Sequence, residues 1–363
     1  MTNHVESFTV IYVNGYIILK KPPTIREVAE RAGVSIATVS RAMNHSGPVS
    51  IKTRELIDRV ITDSGFRPNN IGRQLKTSRT HTIGVLVPSL TNPIFADAVA
   101  GIEEAAGQSG YNVLLSSSGY SAQKEVAAVD TFLSSRVEGL VLTVADEESS
   151  HALDSVASSG LPFVLLFNPV KPTSYSTVSI DNRQAAHDLT TGLLELGHQR
   201  IAMIAGKLSE SDRSIERRAG LEDSLGQHGL APVEIVEVGF ENPDLGSRIM
   251  RLSNSVNPPT AYFCSTDVLA ISTIRVLARM GKRVPDDVSV TGFDGISIGE
   301  WLTPSLATAV QPAGDMGEWA AKHLLERINH NEPVTNLVLP YRIRPGESWG
   351  PVSTSLRAGQ TLS

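Results

Sequence analysis

Arg41 is the first residue whose surroundings suggest chemistry. In the stretch VAERAGVSIATVSRAMN (28–44) it shares a helical face with Ala37, Ser40 and Asn44, turned away from the apolar stripe Val39, Ala42 and Met43. That face is small, polar and nearly flat, a poor core and a suitable surface for entering something grooved. At the start of the same segment stand Ser35, Ile36, Ala37 and Thr38. Apolar groups there can touch thymine methyls, and Arg41 can reach guanine or a phosphate. Ser35, Thr38 and Asn44 have the hydroxyl and amide groups that bond phosphate oxygens, and Ser40 lies on the same DNA-facing side. Further on, GFRPNNIGRQLKTSRTH is basic and polar, with Asn69 and a single Leu75 that has little core to join.

The elements that would hold this face follow from local signals. Thr24 and Glu27 form a T-x-x-E capping box ahead of a helix with Ile25, Val28, Ala29 and Ala32 at helical spacing. Gly33 ends that helix, Ser35 caps the next, and Ser50 caps a third with Ile57, Val60, Ile61 and Ser64 along one side. Two helices joined by a short glycine-containing turn and braced by a third are a helix-turn-helix. Charge agrees. From Lys20 to Thr80 there are twelve Lys/Arg against five Asp/Glu, a local +7 in a chain whose net charge is −6. A basic module ahead of an acidic body fits a polyanion partner.

From Thr82 the texture changes. Apolar runs such as TIGVLV, YNVLLS, EGLVLTV, PFVLLF, RIAMIA, AYFC and VSVTGF alternate with helical stretches. That pattern means βαβ units and parallel sheets covered on both faces. About 270 residues of it exceed one sheet, so two similar lobes are expected. The single cysteine, Cys264, lies in an apolar run; it reads as a buried thiol and fits a reducing compartment. The first 22 residues read as a loosely ordered tail, because Asn14 and Gly15 break their apolar run and no basic residues lead it.

Two other classes fit worse. A nucleotide-dependent enzyme needs a glycine-rich turn after a strand, and the first strand runs instead into VPSLTNP. No Walker loop, HExxH or cysteine metal cluster occurs, and the nine histidines are scattered. An exported binding protein would need a signal peptide and would leave the basic helical segment unexplained.

The order of motifs is more specific than any one of them. TIREVAERAGVSIATVSRAMN and VSIKTRELIDRVITDSGFRPNNIGRQLK resemble the DNA-binding headpiece of the LacI/GalR (lactose/galactose-repressor) family. The resemblance continues through HTIGVLVPSLTNPIFADAVAGIEEAAGQSGYNVLL, LGHQRIAMIAG, RRAGLEDSL, PTAYFCSTDVLA, VPDDVSVTGFD and LTPSLATAVQP. It implies an all-α helix-turn-helix headpiece plus an α/β, two-lobed, periplasmic-binding-protein-like (type I) effector domain with parallel sheets. The boundaries expected are a tail at 1–22, headpiece at 23–67, hinge helix and linker at 68–80, ligand-binding and dimerisation body at 81–353, and a tail at 354–363.

The resemblance further implies a cytoplasmic transcriptional regulator, most often a repressor. It would bind a pseudo-palindromic operator as a homodimer and answer to a small carbohydrate-like or nucleobase-like effector, with no cofactor, metal or membrane. Leu75 would be the wedge in the minor groove. Motif matching assigns the effector cleft to Asn92, Phe95, Arg217, Phe240, Thr266 and Asp294, with Asp267 capping its own helix. Three departures stand out: Gly72 where relatives commonly have alanine, Phe167 where many have aspartate, and Thr266 where sugar binders often have asparagine. The last two make the cleft less polar.

Overall fold

The computed structural model of the 363-residue chain describes residues 9–13, 16–20, 23–44, 46–66, 79–171, 175–239 and 244–352. The chain divides into two compact units, within Met1–Arg79 and Thr80–Ser363.

In the first unit, β1 (Thr9–Val13) and β2 (Tyr16–Lys20) pair antiparallel, with Val13 opposite Tyr16. Over these two strands this corrects the reading of a loose tail. An Asn-Gly pair between two β-branched runs is a hairpin signal as well as a break in an apolar run. Three helices follow: α1 (Ile25–Ala32), α2 (Ile36–Asn44) and α3 (Ile51–Ser64). The capping box forms as expected, with the Thr24 amide donating to Glu27 Oε2 at 2.9 Å and the Glu27 amide to Thr24 Oγ1 at 3.4 Å. Gly33 takes φ +65°, which glycine adopts without a Cβ clash, and turns the chain into α2. Val28, Ala29 and Ala32 of α1, Val39 and Ala42 of α2, Ile57 of α3 and Phe66 close one small core.

The second unit holds two six-stranded sheets. The first has the order β13-β7-β6-β5-β3-β4, all parallel, from β3 (Thr82–Val87), β4 (Asn112–Ser117), β5 (Leu140–Leu142), β6 (Phe163–Leu166), β7 (Ser176–Ser179) and β13 (Asn336–Val338). The second has the order β14-β12-β11-β10-β8-β9, from β8 (Ile201–Gly206), β9 (Ile235–Val238), β10 (Ala261–Cys264), β11 (Ser289–Asp294), β12 (Ala307–Val310) and β14 (Arg342–Arg344). Only the β12–β14 pair of this sheet is antiparallel. The chain therefore passes between the lobes three times, after β7, β12 and β13.

Helices α4 (Pro93–Gln108), α5 (Ala122–Ser134), α6 (His151–Ser159), α7 (Asn182–Glu195), α8 (Asp212–Gly226), α9 (Leu245–Ser253), α10 (Asp267–Arg279) and α11 (Ala313–His330) connect the strands. Strands such as β3, β8 and β11 are buried along nearly their whole length, as parallel strands covered on both faces must be. Helices α4 and α11 meet so closely that a methyl on Gly317 would overlap the Ala98 carbonyl. The parallel topology sends the carboxyl ends of the strands of both lobes toward the cleft between them, and the binding residues follow from that.

Candidate DNA-reading face and ligand cleft

The outward side of α2 is as open as its spacing predicts. Ile36, Ala37 and Arg41 are exposed, and Thr38 and Ser40 are half-buried. Ser35 does cap α2. Its Oγ accepts the Thr38 amide at 3.1 Å and lies 2.8 Å from the Thr38 hydroxyl. Arg41 forms no ion pair among the described residues. Its aliphatic stem runs past Gly47, where a Cβ would stand 3.1 Å from Arg41 Cδ. Asn44 closes α2, but its side chain lies outside the described residues, as do Asn69, Gly72 and Leu75, all within 67–78.

In the second unit the polar residues converge on Asp294. This residue ends β11 with φ +123°, a strained backbone for a side chain with a Cβ, and it is 2 % exposed. Three groups donate to its carboxylate: Gln311 Nε2 at 2.9 Å and Arg217 Nη1 at 3.3 Å on Oδ1, and Asn92 Nδ2 at 3.2 Å on Oδ2. Asn92 also caps α4, its Oδ1 accepting the Ile94 amide. One side chain therefore starts a helix of the first lobe and holds an acid of the second.

Arg217 is fixed from several sides. Its Nε donates to Asn182 Oδ1 at 2.9 Å, Nη1 donates to the Ser265 carbonyl at 2.5 Å, and its guanidinium carbon sits 3.7 Å above the Phe293 ring. Burial pulls Arg217 down to about 10 and pushes Asp294 up, while each holds the other charged. An ion pair this buried depends on such added hydrogen bonds, since desolvation otherwise offsets the attraction.

Asn92, Arg217 and Asp294 line a narrow crevice that is partly open to solvent. Its apolar wall is Phe95 against Phe167, edge to face with centroids 5.4 Å apart. Phe167 adopts φ +70°. Of the six cleft residues expected from the sequence, Asn92, Phe95, Arg217, Thr266 and Asp294 line this one crevice, and Phe240 lies outside the described residues.

The roles of Thr266 and Asp267 need correcting. Thr266 is the residue that caps α10, its hydroxyl accepting the Leu269 amide at 3.2 Å. Asp267 does not cap. It accepts the Gly295 and Ile296 amides at 2.7 and 2.8 Å and the Thr308 hydroxyl at 2.6 Å. In the first turn of α10 its carboxylate reaches the loop after β11 and clamps the backbone that aims Asp294. Burial pushes Asp267 up to about 7.

Sequence reasoning missed a second interlobe cluster. Asp212 and Arg213 open α8. The Asp212 amide donates to the Ala145 carbonyl at 2.8 Å, and Arg213 Nη1 donates to the Val144 carbonyl at 2.9 Å. Asn168 donates to Asp212 Oδ2 at 2.6 Å and also bonds both backbone groups of Val144. Glu125 accepts the Ala145 amide at 2.9 Å and is pushed up to about 7 by burial. The available signal was the spacing of Arg213 and Arg217, which puts two guanidinium groups on one helical face. Tyr120, half a strand-loop away in sequence, also lines the crevice, and burial raises it to about 12.

Other reactive-looking groups are structural. Contrary to the expectation that no G-x-S-x-G string occurs, GISIG at 295–299 has the spacing of a hydrolase nucleophile elbow. Ser297 there opens a short 3-10 turn, is exposed, and bonds no histidine among the described residues. Cys264 is buried and pushed up to about 12, so its thiolate is suppressed. Buried His198 bridges Thr260, Ser289 and the Gly350 carbonyl. No His/Cys/Asp/Glu group suited to a metal occurs among the described residues. Nor is any helix among them long and apolar enough to cross a membrane.

Comparison with known proteins decides the assignment. Residues 24–69 match the family described as bacterial regulatory proteins, lacI family, and residues 80–341 match periplasmic binding proteins and sugar binding domain of LacI family. The chain belongs to the LacI family. It is 33 % identical over 335 residues to the HTH-type transcriptional regulator GntR of Escherichia coli (strain K12), covering 91 % of this chain and 99 % of that protein. It is 32 % identical to catabolite control protein A of Priestia megaterium, covering 88 % and 97 %. Among solved structures it is similar to the lac repressor dimer bound to operator and the anti-inducer ONPF, with TM-score 0.81, 28 % identity, and 91 % and 100 % of the two chains covered. As a LacI-family member the chain is a ligand-responsive, DNA-binding transcriptional regulator, with a helix-turn-helix unit and a two-lobed, sugar-binding-type effector unit.

Proposed function

We propose that this regulator represses transcription in the cytoplasm as a homodimer on a pseudo-palindromic operator, and that a small carbohydrate-like effector in the interlobe cleft sets its operator affinity. Ile36 and Ala37 meet base edges in the major groove, Arg41 meets guanine or a phosphate, Ser35, Thr38 and Asn44 meet phosphates, and Ser40 lies on the same face. Arg41, exposed and without an ion pair among the described residues, on a capped helix supports the first role. Asn69 and Leu75 belong to the hinge at 68–80, between a headpiece at 23–67 and a body at 81–353. The protein performs no catalysis of its own.

The single observation that carries the effector half is Asp294, a buried carboxylate held from both lobes at once by Asn92, Gln311 and Arg217. A ligand that replaces one of these bonds changes the relative energy of lobe arrangements. A ligand shifts an equilibrium only by such a difference in affinity. The test is a thermal-shift screen of the full chain against sugars, polyols, sugar acids and nucleobases, followed by operator titration with each hit. A compound that stabilises the protein and changes operator affinity supports the reading. Stabilising compounds that all leave operator affinity untouched contradict it.

A further inference from the structure

The cleft contains two buried polar atoms with nothing to bond among the described residues, and their characters are complementary. One is Arg213 Nη2, a cationic donor; the other is Gln311 Oε1, a neutral acceptor. Both residues line the crevice, and Arg213 is 4 % exposed. Arg213 Nη1 already serves the Val144 carbonyl and Asp212 Oδ1, and Gln311 Nε2 serves Asp294. A buried donor on a charged group that bonds nothing is costly, so its presence in a cleft wall points to a ligand atom that completes it.

From these atoms we infer that the effector is a polyhydroxy carboxylate, an aldonate or uronate, with its carboxylate on Arg213 Nη2 and a hydroxyl donating to Gln311 Oε1. This rests on the interlobe cleft being the effector site. Arg213 selects for the acid because a guanidinium bonds an ionised oxygen more strongly than a neutral hydroxyl. Its neighbour Asp212 pairs with the other amino group, Nη1, at 3.1 Å and leaves Nη2 without a partner among the described residues. That carboxylate already accepts from the Arg213 amide, Arg213 Nη1 and Asn168. The Phe95–Phe167 wall of the same crevice supplies apolar contact for the carbon chain.

The test is calorimetric titration of the full chain with five- and six-carbon aldonates and uronates, each beside its uncharged alditol or aldose and its phosphate ester. At least one acid should bind about ten- to a hundredfold more tightly than its uncharged counterpart, the range of a charge-assisted bond. Arg213→Gln should bring that acid down to the level of the neutral compound. Arg213→Lys, which keeps the charge without the fork, should retain part of the preference, and thermal melts of both variants check that they fold. Equal binding of acid and neutral compound, preference for a phosphate ester, no binding by any acid, or an unchanged preference in Arg213→Gln would each overturn the inference. Asp294→Asn separates this from the underlying site. If neutral sugars bind wild type and are lost in Asp294→Asn, the cleft stands and only its acid selectivity falls. If acids bind Asp294→Asn as they bind wild type, the cleft itself is wrong.

Discussion

The outward face of α2 and the interlobe cleft are both polar, yet they hold their polar groups in opposite ways. On α2, Arg41 is exposed and forms no ion pair among the described residues, and the only bonds shown for Ser35 and Thr38 are those that begin the helix. In the cleft, Asp294 accepts from three side chains and Arg217 is held by Asn182, Ser265, Asp294 and the Phe293 ring. The difference follows from the partner. A DNA groove brings its own ordered array of acceptors and donors, so the protein needs only a slim helix with accessible ends. A small, flexible ligand brings little order of its own, so the protein supplies the order beforehand. Mutations should therefore cost folding energy in the cleft and cost only recognition on α2.

The largest expected effect is at Asp294. Asp294→Ala leaves Arg217 buried without its carboxylate, a change that costs about 3–5 kcal/mol of stability. Urea unfolding of the body should show it, and the response to effector should vanish as well. A variant as stable as wild type would mean that the node carries no energy and that cleft and reading face do not differ. Next is Arg41→Ala. It should lower discrimination between operator and scrambled duplex by about 1–3 kcal/mol at fixed salt. Its unfolding free energy should stay within about 0.5 kcal/mol of wild type, because the side chain is exposed. A large loss of stability there would erase the contrast from the other side.

The smallest effect sharpens the comparison through pH. Burial pushes Glu125 up to about 7 from an ordinary value of 4.5. The folded chain then keeps this proton across a range where the unfolded chain has released it. Stability attributable to the group is therefore lost as pH rises from 4.5 toward 7 and is level above that. Glu125→Gln still accepts the Ala145 amide but carries no titrating proton. It should gain on wild type across that interval, by about 1–2 kcal/mol at pH 7, in unfolding curves taken at successive pH values. A constant difference between the two proteins from pH 4.5 to 8 would show that this carboxyl is not held protonated at the lobe interface.

The fold was legible because its signals are local and repeated. Capping residues, one glycine in a turn and helical stripes define α1 to α3, and alternation of apolar runs with helices defines the two sheets. Individual cleft residues were legible where motif matching carried them: Asn92, Phe95, Arg217 and Asp294 come together across 202 residues of sequence, which no spacing rule foresees. What failed was the assignment of roles within a motif. Thr266 and Asp267 are adjacent, both can cap a helix, and only the position of the β11 loop decides which one does. Arg213 and Gln311 escaped notice because an ordinary helix face and an ordinary strand end become a binding wall only when the other lobe faces them. The pairing of β1 with β2 escaped the reading for a simpler reason, since an Asn-Gly pair in a sequence fits a break in an apolar run as well as a hairpin.

The account turns on one linkage, that occupancy of the Asp294 node governs DNA affinity. The direct measurement is fluorescence anisotropy of a labelled operator titrated with full-length protein at one salt concentration, with and without a saturating cleft ligand, for wild type and Asp294→Asn. The account predicts that ligand shifts the wild-type Kd by about tenfold or more, the scale of 1.4 kcal/mol of coupling. It predicts that the same concentration leaves the Kd of Asp294→Asn where it stood. An equal shift in both proteins would contradict it and place the controlling site elsewhere.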